Sequence, residues 1–228
     1  MNSHTVKAFD NDIGRLRGLI SQMGGLAEDA IARAMQALAR SDLDLAEQVR
    51  ADDKRIDALE AEVERLAVQI IALRAPMAVD LREVVAALKI AGLVERIGDY
   101  AKNIAKRVPM IESEHRIEPI SILPAMGRMA GDMVRAVLDA FAARDFAAAM
   151  RVVESDTALD DFYDSIFRTL VTYMVENPRT ISQVAHLLFV AKNLERIGDH
   201  ATNVAEMVYF AATGTQMADR DRGGEQEQ

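Results

Sequence analysis

One unit is written twice in this chain, and that duplication limits the fold more than any other feature. Met126-Gly127 stands 103 positions after Met23-Gly24, and Asp145 stands 103 after Asp42. Asp156, Leu159 and Asp160 keep the same offset from Asp53, Ile56 and Asp57. Past Asn177-Pro178 the offset falls to 100, and Glu195-Arg196-Ile197-Gly198-Asp199 repeats Glu95-Arg96-Ile97-Gly98-Asp99 without a change. Ala201, Asn203 and Ala205 follow Ala101, Asn103 and Ala105 in that register. A steady offset followed by an identical pentapeptide marks an internal repeat. The chain is therefore read as two units, residues 1–116 and 117–214, joined near Glu114 to Pro119, with a disordered polar tail over 215–228.

The unit is helical. Val49, Ile56, Leu59, Val63, Leu66, Ile70 and Leu73 recur at steps of three, four and seven, the seam of a long helix packed in a left-handed bundle. Pro76 stops this helix, and Asp80 is placed to cap the next. That third helix carries Val84, Leu88, Ala91, Val94, Ile97, Ala101, Ile104 and Val108 on its inner stripe, with Pro109 near its end. A first helix, roughly Val6 to Ala39, precedes both and is expected to soften at Gly24-Gly25. Twelve Gly and five Pro in 228 residues are too few for the turns of an all-β domain. The fold class is all-α: six long helices in two tandem pseudo-symmetric three-helix bundles. Helices of about 30 residues run about 45 Å, so the molecule should be elongated, and a leftover apolar face favours a dimer.

Charge and composition remove several functions. Net charge is −9 and the pI is near 5.0, with no run of five Lys or Arg, so direct nucleic-acid binding is unfavourable. No stretch approaches the roughly 18 apolar residues of a membrane span, and Met1 to Asp10 lacks the apolar centre of a secretory signal. Membrane contact is then peripheral, through partners, and the location cytoplasmic. Cysteine is absent, which excludes disulfides, thiolate zinc sites and cysteine nucleophiles. Four His and no Gly-x-Ser-x-Gly or phosphate-binding loop leave nucleophilic catalysis without a foothold. The twelve Met serve as adaptable core filler or line a partner surface.

The duplicated polar residues are acidic and share one spacing. Asp53 and Asp57, Glu95 and Asp99, Asp156 and Asp160, Glu195 and Asp199 are all i, i+4 pairs. That spacing stacks two like charges on one helix face. If the pairs of the second and third helices face each other, four carboxylates converge in each unit. A hard cation with oxygen ligands neutralises such a group: Mg²⁺, Ca²⁺, Mn²⁺ or iron. Asn103 and Asn203 lie one turn further and can add or orient a ligand. The plainer reading is four acidic pairs on solvated faces.

Gly98 and Gly198 each sit inside a helix at about 1 kcal/mol against Ala, which points to a close approach by a neighbouring group. Arg96 and Arg196 are read as surface ion pairs. Glu112 and His115 form a lone Glu-x-x-His spacing with no copy in the second unit, read as chance. His186 replaces Ala86 on an apolar stretch and is read as a packed core histidine; His200 takes the place of Tyr100.

Two copies of Glu-Arg-Ile-Gly-Asp-x-Ala-x-Asn, each in the third helix of a three-helix unit, resemble PhoU, the phosphate transport system regulators. Arg74-Ala75-Pro76-Met77-Ala78-Val79-Asp80-Leu81-Arg82 also resembles that family's pattern, and the similarity runs from about residue 7 to 212. The resemblance implies a six-helix molecule, often dimeric, with metal clusters on Glu/Asp-x-x-x-Asp motifs. The ligands would be Glu95, Asp99, Glu195 and Asp199, with Asp53, Asp57, Asp156 and Asp160 opposite, and the ion Fe, Zn, Mn or Mg. It also implies a negative regulator that works with the Pst phosphate ABC transporter, through its ATPase, and with the PhoR sensor kinase, damping the phosphate-starvation response. One departure stands out: Asn177-Pro178-Arg179-Thr180-Ile181-Ser182 lacks the Asp-Leu-Arg of the first unit. A non-enzymatic regulator is the leading reading; a carboxylate-bridged metalloenzyme and a metal-free helical adaptor are its rivals.

Overall fold

The computed structural model describes residues 2–111 and 118–217. Among them are six long helices: α1 (Asn2–Arg40), α2 (Leu43–Arg74), α3 (Val79–Ala105), α5 (Leu123–Ala143), α6 (Phe146–Glu176) and α7 (Ile181–Thr213). The one-turn α4 (Val108–Ile111) and 3₁₀ turns at Glu118–Ser121 and Pro178–Thr180 fill the connections. No strand occurs among the described residues.

The duplication is visible down to single dihedrals. Ser41 and Arg144 end the first helix of each unit at positive φ, 53° and 55°. Asp42 and Asp145 then cap the next helix, their carboxylates accepting from the amides of Leu45 and Ala148, both at 2.9 Å. Such a cap is worth about 1 kcal/mol. At the hairpin tips the units diverge. Ala75 and Ala78 hold φ of 46° and 49°, whereas the second tip uses Asn177 and a 3₁₀ turn beginning at Pro178. This is where the three-residue change of offset falls.

Three expectations are corrected here. α1 runs unbroken through Gly24-Gly25. Gly24 is buried because α5 crosses there, so that a Cβ on it would lie 2.3 Å from Leu138 Cδ1. Asp80 does not cap α3: the cap residue is Ala78, with no side-chain bond, and Asp80 sits inside the first turn, where its charge still favours the helix dipole. α3 stops at Ala105, and Val108 reaches the core from α4 instead. Glu112, His115 and the start of the linker lie outside the described residues, as does the tail beyond Met217.

Each unit is a three-helix bundle, α2 on α1 and α3, α6 on α5 and α7; α1 packs on α5, and α3 on α7. Both central crossings are antiparallel and pair equivalent positions. Gly24 meets Leu138 while Gly127 meets Met35, and the Tyr100 ring meets the His200 ring at 5.2 Å. A pseudo-twofold axis therefore passes between the units. One continuous apolar cluster spans both, from Ile20, Met23 and Ile56 to Met126, Leu159 and Ile197, each large side chain contributing roughly 1.5–3 kcal/mol on burial.

One polar contact breaks this symmetry. Glu83 on α3, only 8% exposed, accepts from Arg17 of α1 at Nε (2.6 Å) and from Arg144 at the end of α5 at Nη2 (2.6 Å). It ties the units together, and its removal takes the partner from the part-buried Arg17 guanidinium. Glu83→Ala should destabilise the protein by about 2 kcal/mol, read as a lower midpoint in urea unfolding; an unchanged midpoint would remove the clamp.

Candidate functional site

Gly98 and Gly198 explain why carboxylates are buried at all. A Cβ on Gly98 would lie 2.7 Å from Ile56 Cδ1 and 3.5 Å from Asp53 Oδ1. On Gly198 it would lie 2.3 Å from Leu159 Cδ2 and 3.3 Å from Asp156 Oδ1. Each second helix thus rests on bare backbone, and the acid one turn before the apolar residue goes in with it. Asp53 and Asp156 are each 6% exposed.

In the first unit the predicted pairs do share one notch. α2 supplies Asp53 and Asp57, α3 supplies Glu95 and Asp99, and α2 adds Glu60. Burial first, then repulsion from Asp99, Glu60 and Asp57, lifts Glu95 to about 7, with Arg96 opposing. Burial and the neighbouring Asp53 raise Asp57, and Glu60 is raised by burial and Glu64. The notch is not purely acidic. Lys102 Nζ donates to Asp99 Oδ1 at 2.6 Å and to Asp53 Oδ2. Burial works against its charge, but those two bonds hold Lys102 well above the ordinary lysine range.

The second unit repeats the acids and changes the cation. Glu195 is raised by burial, then lowered by its bond from Lys192, with Asp199 and Asp160 adding repulsion. Lys192 Nζ donates to Glu195 Oε1 at 2.5 Å, while Glu195 Oε2 is buried with no hydrogen-bond partner. Asp160 and Asp199 are exposed. Thr202, buried where the first unit has Lys102, gives its hydroxyl to the Asp199 carbonyl at 2.7 Å. Asn103 accepts from Lys106 Nζ at 3.2 Å, and Asn203 is half-buried.

The donor chemistry suits a hard cation in both notches, yet the arrangement differs. Among the described residues no three His, Asp or Glu side chains stand together as a metal-holding group. In the first notch an ammonium already lies between Asp53 and Asp99, so the residues there do not fit an ion as they stand. In the second, Asp160 and Asp199 are on the surface while Asp156 is buried.

The residues between the acids serve the axis. Arg196 lies over the Tyr100 ring at 5.9 Å, a cation–π contact in place of the surface ion pair expected of it. His200 is lowered mainly by burial, with Arg96 and Arg196 adding to it, and its Nδ1 pairs with the Arg196 carbonyl at 2.9 Å. His186 is half-buried rather than in the core. Its Nδ1 faces Arg107 Nη1 at 3.3 Å, and that guanidinium lies 4.4 Å above Phe189. Sequence reasoning missed Lys102, Lys192, Thr202 and Glu60. Lys102 had a signal: it is three residues beyond Asp99 and is one of the few motif positions where the repeats disagree.

Comparison with known proteins agrees with the geometry. The PhoU domain family matches residues 20–108 and again 123–208. A phosphate-specific transport system accessory protein PhoU homolog from Zymomonas mobilis is 59% identical over 220 residues, covering 96% of this chain and 93% of its own length. One from Caulobacter vibrioides is 47% identical over 95% of both chains. The crystal structure of PhoU from Pseudomonas aeruginosa superposes with a TM-score of 0.87 at 38% identity, covering 91% of this chain and all of that one. The Streptococcus pneumoniae phosphate transport system regulatory protein PhoU superposes at 0.86 with 25% identity, covering 92% of this chain and 99% of that one.

The raised Glu95 makes stability depend on pH. Its ionisation is penalised in the folded state, so the penalty grows as pH rises from the usual glutamate value to about 7 and is full above that. Glu95→Gln should leave melting at pH 4 nearly unchanged. At pH 8 and low salt it should stabilise by about 1 kcal/mol, or about 2–4 °C. An equal shift at both values would show that repulsion is not the cause.

Proposed function

The chain belongs to the PhoU family, and we propose that it is a non-enzymatic negative regulator of phosphate uptake and of the phosphate-starvation response. In this reading it binds the ATPase of a Pst-type phosphate ABC transporter and a PhoR-type sensor kinase from the cytoplasmic side. The single observation that carries the reading is near-full-length identity of 59% to a phosphate-specific transport system accessory protein. Among the described residues no helix is long and apolar enough to cross a membrane. Contact with membrane machinery then runs through partners.

Surface chemistry supports protein binding. Phe167, Val171 and Val175 form an exposed apolar row on α6 at i, i+4, i+8, and Ile181 and Phe189 are exposed on α7. Such a row is more apolar than a solvated helix face needs, and we assign it to protein contacts, including a second copy in a homodimer. Phe167→Asp with Val171→Asp should convert a dimer to a monomer in sedimentation equilibrium; an unchanged mass would move the dimer contact elsewhere.

Ion binding is a second reading, favoured in the second notch by the buried Glu195 Oε2 without a hydrogen-bond partner. Asp156, Asp160, Glu195 and Asp199 would hold the ion, with Asn203 nearby; it would supply charge neutralisation and bracing between α6 and α7. The metalloenzyme alternative needs an open ion position beside acid and base groups. Lys102, which already bonds Asp53 and Asp99 in the first notch, weighs against it.

Deletion of the protein should raise starvation-reporter output in high phosphate at least severalfold, and re-expression of the wild type should restore repression. Unchanged output in the deletion strain would remove the regulator assignment.

A further inference from the structure

We propose that the seam between α5 and α6 is a docking groove for one amphipathic helix of a protein partner, which lays its apolar stripe in the seam and brings a basic side chain to Asp132 and an acidic one to Arg151. Its role in regulation rests on the partner-binding reading given above; the groove itself follows from comparing the two units.

The first unit is an internal control for this seam. There Arg33 on α1 reaches across to Asp52 on α2 at 2.7 Å and to Gln48 at 3.3 Å, and also bonds Asp29 one turn back at 3.1 Å. Arg15 and Glu62 make a second crossing at 2.6 Å. At the offset of 103 the second unit has Ala136, Ser155, Ala158 and Ser165 in place of Arg33, Asp52, Arg55 and Glu62. Charged side chains are cut back at each of these positions, and neither ion pair can form. What opens between α5 and α6 is a recess of about 390 Å³, which shares Met129, Asp132 and Ala158 with a second one reaching Ser165. Met133 and Val152 are its buried floor, and Met129 and Phe162 lie half-buried along it.

Length and charge say what fits. From Ala148 to Ser165 the groove follows α6 for about 26 Å at 1.5 Å per residue, the length of a helix of about five turns. Helix-in-groove recognition uses such a floor, and methionines adapt it to the side chains laid against them. Asp132 keeps the acid of Asp29 but has lost the arginine that serves it in the first unit. Its cation is Arg135, at 3.7 Å on the same helix, and Arg135 already gives its Nε to Glu28 of α1 at 2.8 Å. A partner's arginine or lysine, set where Arg33 lies in the first unit, restores a close charge-assisted bond to Asp132. Arg151 stands where Gln48 accepts from Arg33, so a partner carboxylate about one turn from that base meets a guanidinium. At the far end Arg128 and Asp161 line the groove together and balance each other. The partner stripe therefore carries one acid and one base a turn apart between apolar residues.

The test installs the first unit's own bridge. Three fluorescein-labelled, stapled helical peptides of five turns share an Ala/Leu/Met stripe and differ at two central positions a turn apart: Glu with Arg, Glu with Glu, or Arg with Arg. Titrated with full-length protein and read by anisotropy, the Glu/Arg peptide should bind about tenfold tighter than either like-charge peptide. Asp132→Arg should move the preference to the Glu/Glu peptide. Ala136→Arg with Ser155→Asp, which seals the seam as in the first unit, should weaken binding of the Glu/Arg peptide by about tenfold or more. Ala158→Arg, which copies Arg55 at an exposed position, is the second sealing variant should the double one fail to fold by circular dichroism. Equal affinity for the three peptides, binding of none, or binding that survives sealing would overturn the groove. In a deletion strain grown in high phosphate, the sealed protein should leave the starvation reporter high where wild type lowers it. Full repression by the folded, sealed protein would overturn the groove's part in regulation. A reporter unchanged by the deletion would instead strike the regulator reading, and the peptide titration would still decide the groove.

Discussion

The charge buried in the two notches follows from two places where helices touch through hydrogen instead of a side chain. At Gly98 and Gly198 the partner helix comes so close that Ile56 and Leu159 lie against backbone. The acid one turn earlier cannot stay in water once that contact is made, so Asp53 and Asp156 are carried under the surface. Burying a lone carboxylate is expensive, and each notch must then be supplied with positive charge or hold protons. Both responses are seen: Lys102 and Lys192 donate into the notches, and Glu95 and Glu195 are pushed toward the neutral form. Packing forces the electrostatics, and the electrostatics make the notches responsive to cations and pH.

The same economy of contact joins the units. Reciprocal seating of Leu138 at Gly24 and Met35 at Gly127 is what an isologous interface looks like when its two halves lie on one chain. The Tyr100–His200 pair marks the same axis on the other crossing. Glu83 then adds what symmetry cannot, a clamp made once, whose second-unit counterpart is Gln183. The hairpin tips carry the remaining asymmetry, in strained alanines on one side and a proline turn on the other. A molecule of this kind presents two similar but distinguishable ends.

Periodicity and the repeat offset made the six helices, their order and the equivalence of the units legible before any coordinates. They also put the two acids of each pair on one helix face, because i, i+4 spacing speaks about faces directly. Continuity of α1 was not legible, since Gly24 reads as a weak point in propensity and its burial under Leu138 comes from a helix more than 100 residues away. Lys102 was overlooked for a related reason. A lone lysine on a helix is usually solvated, and only the fold shows that it reaches across to Asp53. Arg196 likewise has an acid next to it in sequence and an aromatic ring next to it in space.

The identical pentapeptide deserves to be divided by what each position does. Ile97 and Ile197 are fully buried, and Gly98 and Gly198 admit the neighbouring helix. Arg96 and Arg196 act at the axis, the latter over Tyr100 and both on His200. Three of the five positions are therefore held by packing and by the crossing of α3 and α7, which constrains both copies alike. Only the glutamate and the aspartate face the notch. Their surroundings have diverged, with Lys102 on one side and Thr202 on the other. Sameness of the motif is thus evidence for a shared way of assembling the bundle, and the neighbouring residue that differs is the better guide to what each notch holds.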